Sequence, residues 1–132
     1  MAQYVFDTNI ISFILRRDSQ IIARLNTILT PTNTIIGCPV VWYEIRRGLL
    51  ATSATAKLQR FEILFATFIW RDLSKADWDL AATLWAQRRS QGHPIEDADL
   101  LIGVFASNHG AILVTDNTKD FTDLNIQTES WR

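Results

Sequence analysis

Short, nearly unbroken apolar runs alternate along this chain with longer stretches whose apolar residues recur at helical spacing. Residues 3–6, 34–38 and 111–115 are runs of the first kind. Runs so short, with little polar alternation, predict strands buried on both faces. Residues 67–73 give a third strand in chain order, and 125–129 a weak fifth. Helical spacing appears at about 9–16, 19–29 and 40–50, in a segment ending near 66, in 75–91 and from about 97 to the His109-Gly110 turn. Pro31 ends the second of these, because proline lacks the donor that helix continuation needs. Ser74 reads as an N-cap, with Asp77 three residues on as the acid of a capping box. Gly92-His93-Pro94 breaks the chain, and Gly110 marks the end of the last helix.

Strands separated by helices predict a parallel sheet covered on both faces, an α/β/α sandwich. No internal repeat, low-complexity tract or linker divides the chain, so residues 1–132 are expected to form a single domain. A length of 132 residues with 48% hydrophobic and 20% charged residues fits one ordinary core. The apolar runs fall short of the roughly 18 residues that a membrane span needs. Asp7 interrupts the first run, which argues against a secretory leader. The one cysteine, Cys38, is expected to be a core thiol, and an unpaired cysteine suits a reducing cytoplasm.

Four acids change the picture from scaffold to site. In a parallel sheet, active sites lie beyond the carboxyl ends of the strands. Asp7 directly follows the first strand in FDTNIIS, and Asp116 directly follows the fourth in LVTDNTKDF. Glu44 stands near the start of the helix after the second strand, inside the otherwise apolar VVWYEI, where a lone carboxylate is costly. Asp99 begins a helix that turns tightly into the fourth strand at His109-Gly110. From Asp99 to His109 the helix rises roughly 17 Å at about 1.5 Å per residue. Five strand residues rise about as far, at roughly 3.3 Å each. The helix therefore returns Asp99 to the level of Asp116.

Taken one at a time, Asp7 and Asp99 also suit helix N-termini, and Asp116 suits a turn. Asp97 lies about 200° around the helix from Asp99, and is expected to cap that helix while supporting the site. Four converging carboxylates would repel, and one would stay protonated without a counter-charge. Oxygen donors without a histidine or cysteine cluster suit Mg²⁺ or Mn²⁺ rather than zinc. Such an ion activates water and stabilises charge on phosphate oxygens, so the reaction class is hydrolysis of a phosphodiester.

The formal charge of −1 offers no global basic field. With the four acids set aside, 13 basic residues face 10 of the 14 acidic ones, a local balance of +3. The pairs Arg16-Arg17, Arg46-Arg47 and Arg88-Arg89 are either solvated helix faces or phosphate contacts.

FDTNIIS, the glutamate after the second strand, GHPIEDADLLIG, and LVTDNTKDF with a terminal tryptophan together resemble PIN-domain proteins. Among these, the chain is similar from Tyr4 to Trp131 to the VapC-type toxins of VapBC toxin–antitoxin systems. The resemblance implies a five-stranded parallel sheet of order 3-2-1-4-5 and a Mg²⁺- or Mn²⁺-dependent endoribonuclease acting on tRNA or rRNA. It makes Asp7, Glu44, Asp99 and Asp116 the four catalytic acids, with Asp7, Asp99 and Asp116 as metal ligands. Thr8, Asn9, Asp97 and Thr115 become their supports, and the extra acids Glu96 and Asp97 beside the third position leave the choice of ligand between Asp99 and Asp97 open. It further implies a homodimer and a VapB-type antitoxin whose C-terminal segment wraps the toxin and places a basic side chain in the acid pocket. Gly103 departs from the family's usual alanine.

Of the five tryptophans, Trp42 and Trp85 are expected in the core. Trp70 and Trp78 are candidates to line a groove for the antitoxin or a second subunit. His93 reads as a solvated loop residue and His109 as a helix cap. Two other function classes compete. One is a Mg²⁺-binding phosphoacceptor receiver domain, which would want an acidic pair after the first strand and a lysine after the last core strand. The other is a catalytically inactive PIN fold kept for binding.

Overall fold

A computed structural model describes residues 1–132. Its centre is β1 (Gln3–Phe6), whose last three residues are buried. Flanking it are β2 (Thr34–Gly37) and β4 (Ile112–Val114), with β3 (Ile69–Trp70) and β5 (Thr128–Glu129) at the edges. The strand order is β3-β2-β1-β4-β5 and every pairing is parallel. Six helices flank the sheet: α1 (Thr8–Leu15), α2 (Ser19–Ile28), α3 (Pro39–Ala51), α4 (Thr55–Ala66), α5 (Lys75–Ser90) and α6 (Asp97–Asn108). None is long and apolar enough to cross a membrane.

Local chemistry accounts for the helix ends. Pro39 occupies the first turn of α3, where a missing N–H costs nothing. The Ser74–Asp77 capping box opens α5 in both directions. Asp77 also accepts a 2.6 Å bond from Asn108 Nδ2, so the start of α5 is tied to the end of α6. His109 closes α6, its Nδ1 lying 2.8 Å from the Phe105 carbonyl. Gly110 follows with φ 61°, the left-handed conformation that glycine adopts without strain.

Several expectations need correction. The third strand is two residues long rather than seven: the N–H groups of Thr67 and Phe68 turn back to the end of α4, and beyond Trp70 the neighbouring strand β2 has already ended at Gly37. Asp97 does not cap α6: it is the first helical residue, and Glu96 occupies the cap position without a side-chain bond. Trp85 is not in the core but 42% exposed. The buried stripe of α5 runs through Asp77, Ala81, Leu84 and Arg88. That leaves Trp85 one step around the helix, its ring under the Arg89 guanidinium at 5.2 Å.

Between β4 and β5 lies a 3₁₀ turn, Thr118–Phe121, that the hydrophobic pattern did not predict. It packs against α6 at Gly103. A Cβ there would stand 2.7 Å from carbons of both Phe121 and Leu124. Gly103 therefore lets the segment following Asp116 lie close against the helix that carries Asp99.

Candidate active site

The register of the central strands builds the site. Phe6 pairs with Val114 across β1 and β4, so the next residues, Asp7 and Thr115, leave the sheet side by side. The Asp7 N–H continues the ladder to the Val114 carbonyl at 3.1 Å. Asp7 is the N-cap of α1, its Oδ1 accepting the Ile10 N–H at 3.2 Å. Its other oxygen accepts the Thr115 hydroxyl, and that hydroxyl in turn accepts the Asn117 N–H at 3.1 Å. The capping reading and the site reading of Asp7 are thus both realised, with one oxygen serving each.

The remaining acids surround Asp7 unevenly. Asp116 is exposed, and Asn9 Nδ2 donates to its Oδ1 across 3.4 Å. Glu44 is half-buried; Thr8 Oγ1 donates to its Oε1 at 2.5 Å, and Arg47 lies 3.7 Å from its Oε2. Asp99 is half-buried on the first turn of α6. Asp97 turns away from it, into a cavity of about 420 Å³ shared with Trp78, Trp85 and Leu101. That cavity continues past Trp78 into a groove of about 660 Å³, where Tyr43, Glu44 and Ile95 join the lining. Trp78 lines both; Trp70 lines neither, and instead stacks edge-on against Trp42 and donates to Asp72.

Asp7 feels the charges of Asp116 and Asp99, and Asp99 that of Glu44. Burial, with the charges of Asp116 and Asp99 added to it, pushes the Asp7 carboxyl up to about 6 against the bonds from Thr115 and Ile10. Asp99 is raised too, first by burial and then by Glu44, Asp120 and Glu96. Burial and neighbouring acids all act upward on Asp99, and no basic group offsets them. No three acidic, histidine or cysteine side chains are already gathered in a ligating arrangement. The donor set is all oxygen, and its unbalanced negative charge fits a hard divalent cation.

Sequence reasoning missed three participants. Asn117 donates through its backbone to Thr115 and through Nδ2 to the Asp120 carboxylate, which pins the turn after Asp116. Asp120 adds negative charge near Asp99. Arg88 is buried; its Nε donates to Asp123 at 2.8 Å and its Nη2 reaches both Asp123 and the Asp120 carbonyl. The Asn117–Asp120 pair has the spacing of a capped turn, a signal available in TDNTKDF. Nothing local announces the Arg88–Asp123 pair, 35 residues apart.

Comparison with known proteins agrees with this fold. The family model described as PIN domain matches residues 4–126. Ribonuclease VapC1 of Haemophilus influenzae (strain R2866) is 26% identical over 130 residues, 97% of each chain. The structure is similar to that of VapBC2 from Rickettsia felis bound to a DNA fragment from their promoter. There the TM-score is 0.84 at 26% identity, over 98% of this chain and 99% of that one. VapBC-1 from nontypeable Haemophilus influenzae gives a TM-score of 0.83 at 25% identity, over 98% of both chains.

Proposed function

The chain belongs to the PIN-domain family, and on that premise we propose that it is the ribonuclease toxin of a VapBC-type toxin–antitoxin pair, acting in the cytoplasm. The reaction is Mg²⁺- or Mn²⁺-dependent hydrolysis of RNA phosphodiesters, with tRNA or rRNA as the expected substrate class. One observation carries this reading: a buried Asp7 whose carboxyl is pushed up to about 6 by burial, with Asp116 and Asp99 adding negative charge beside it. A cation there would be held by Asp7, Asp99 and Asp116, with Glu44 completing the acidic wall. When bound, such an ion supplies acidity to water and charge to the phosphate oxygens.

The chain's own residues prepare that chemistry. Thr115 and the Ile10 N–H fix the Asp7 carboxyl in one orientation, from which neither oxygen can swing away. Thr8 holds Glu44 from α1, and Asn9 reaches Asp116 from the next position. One short helix start, Thr8-Asn9, thereby positions acids from two distant segments. Asp97 lines the Trp78 groove together with Glu44, and its support of the site would act from that side.

The named complexes of similar proteins support a VapB-type antitoxin as partner. The groove beside Glu44 suits that contact: Tyr43 and Trp78 are 60% and 53% exposed there, beside the acids that would attract a basic side chain. A homodimer is proposed on the same family grounds.

The test is cleavage of structured RNA in Mn²⁺, with and without chelator, beside Asp7→Asn and Asp99→Asn. Cleavage is expected only in the unchelated wild type. Cleavage that survives chelation or either substitution would overturn the assignment.

A further inference from the structure

A second opening adjoins the acids on the side away from the tryptophan groove. It is a cleft of about 270 Å³ between α1 and α3, with Thr8 and Glu44 at its inner end. Arg16, at the end of α1, and Lys57, on α4, stand at its rim. Both are exposed, and neither is within ion-pair distance of a carboxylate. The cleft thus runs from negative to positive charge over its short length. A cation at the acids would meet one part of a phosphodiester chain, and the free cations would meet the next phosphates.

Gly48 supplies an independent observation. It lines the same cleft from the start of the last turn of α3, still within the helix, where glycine is a poorer helix former than any residue but proline. A Cβ added at Gly48 would meet nothing within 4 Å, and its φ is not positive. Neither close packing nor backbone conformation calls for glycine here. What its missing side chain does is leave the cleft wall flat, where a sugar-phosphate backbone could lie against the helix.

We propose that the cleft walled by Gly48 and rimmed by Arg16 and Lys57 binds the phosphate backbone of the substrate RNA strand beside its scissile bond. This rests on the ribonuclease reading above, and the experiment separates the two. The probe is a labelled, mixed-sequence single-stranded RNA in chelator, titrated by fluorescence anisotropy at several salt concentrations. Arg16→Gln and Lys57→Gln should each reduce the salt slope by roughly 0.7, which at about 50 mM salt lowers affinity roughly eightfold. Lys75→Gln removes the same charge from an exposed pair with Asp79 on α5 and should change neither. Gly48→Leu should weaken RNA binding while its melting temperature stays level or rises. In Mn²⁺, the same three cleft variants should raise KM for RNA and leave kcat unchanged.

Unchanged slopes in both glutamine variants would overturn the proposal. So would an equal loss in Lys75→Gln, which would make the effect one of net charge. Loss of binding to poly-glutamate with RNA binding intact would assign the cleft to an acidic peptide instead. A wild-type protein that binds RNA through the cleft but never cleaves it would refute the ribonuclease reading and leave the cleft standing.

Discussion

Two places in this molecule hold charge away from water, and they resolve it in opposite ways. At the junction of α5 with the 3₁₀ turn, the buried Arg88 is matched within the chain: Asp123 and the Asp120 carbonyl take its donors, and it holds the Asp123 carboxyl below the usual range. At the carboxyl edge of the sheet, Asp7 has hydrogen bonds but no counter-charge, and its carboxyl is pushed up to about 6. The first arrangement is complete as it stands. The second is unfinished without a cation from outside, and uncompensated charge of that kind marks a site rather than a staple.

The largest effect should come from removing one of the unmatched acids. Asp99→Asn deletes a carboxylate whose ionised form its neighbours oppose, so the fold should tolerate it. A loss of several kcal/mol of transition-state stabilisation means cleavage should fall roughly a hundredfold or more. RNA cleavage rates and a thermal melt of the same preparation check both halves. A variant that loses activity only because it has unfolded would erase the contrast.

The matched pair should behave in reverse and asymmetrically. The Arg88 side chain is 10% exposed and that of Asp123 40%. Asp123→Ala strands a buried guanidinium and should cost about 3 kcal/mol, whereas Arg88→Met leaves a carboxylate that water can reach and should cost about 1 kcal/mol. Urea denaturation of both variants measures the difference. Equal costs would mean that the two ends of the pair are equally desolvated.

The pH dependences should also have opposite signs. Asp7 in the native state takes up its proton at about 6 rather than 3.8, so between those values the native state holds more protons than the unfolded one. In chelator, stability should therefore fall as pH rises through that window, by about 2–3 kcal/mol, and level off above it. Asp123 is depressed, so its contribution is present above its unfolded pKa and fades as pH drops below it. In Asp7→Asn the falling limb should shrink to the part that the likewise raised Asp99 contributes, while the acid-side loss remains. Urea midpoints measured across that pH range test this directly.

How much of this was legible in the chain follows from the range of each interaction. Asp7 and Asp116 could be placed because each directly follows a buried strand, and a parallel sheet puts all its carboxyl ends at one edge. Asp99 needed only the lengths of one helix and one strand. Thr115 was reachable as the neighbour of Asp116, and its bond to Asp7 follows from the Phe6–Val114 register. Arg88 was not reachable: on a helix wheel it is one of two adjacent arginines, and its partner Asp123 lies 35 residues away, just past the 3₁₀ turn. Trp85 misled for a related reason, since helical spacing says which residues share a face and not which face meets the core.

The smallest effect probes the boundary between the two regimes. The Thr115 hydroxyl is wholly buried and is the strongest influence holding Asp7 down against its burial. Valine keeps the volume and removes both the bond to Asp7 and the acceptor for the Asn117 N–H. Thr115→Val should cost about 1 kcal/mol, chiefly through that stranded amide. It should also raise the Asp7 carboxyl above 6, because a bond to the charged form has been lost. The pH at which stability falls in chelator should move upward, and the acid limb of Mn²⁺-dependent cleavage should move with it. Thr8→Val offers the matching comparison, since Glu44 keeps Arg47 beside it and both limbs should stay in place. If both variants shift the limbs equally, Asp7 is not the group that titrates. If neither does, the hydroxyl of Thr115 positions the Asn117 turn and leaves the acid edge untouched.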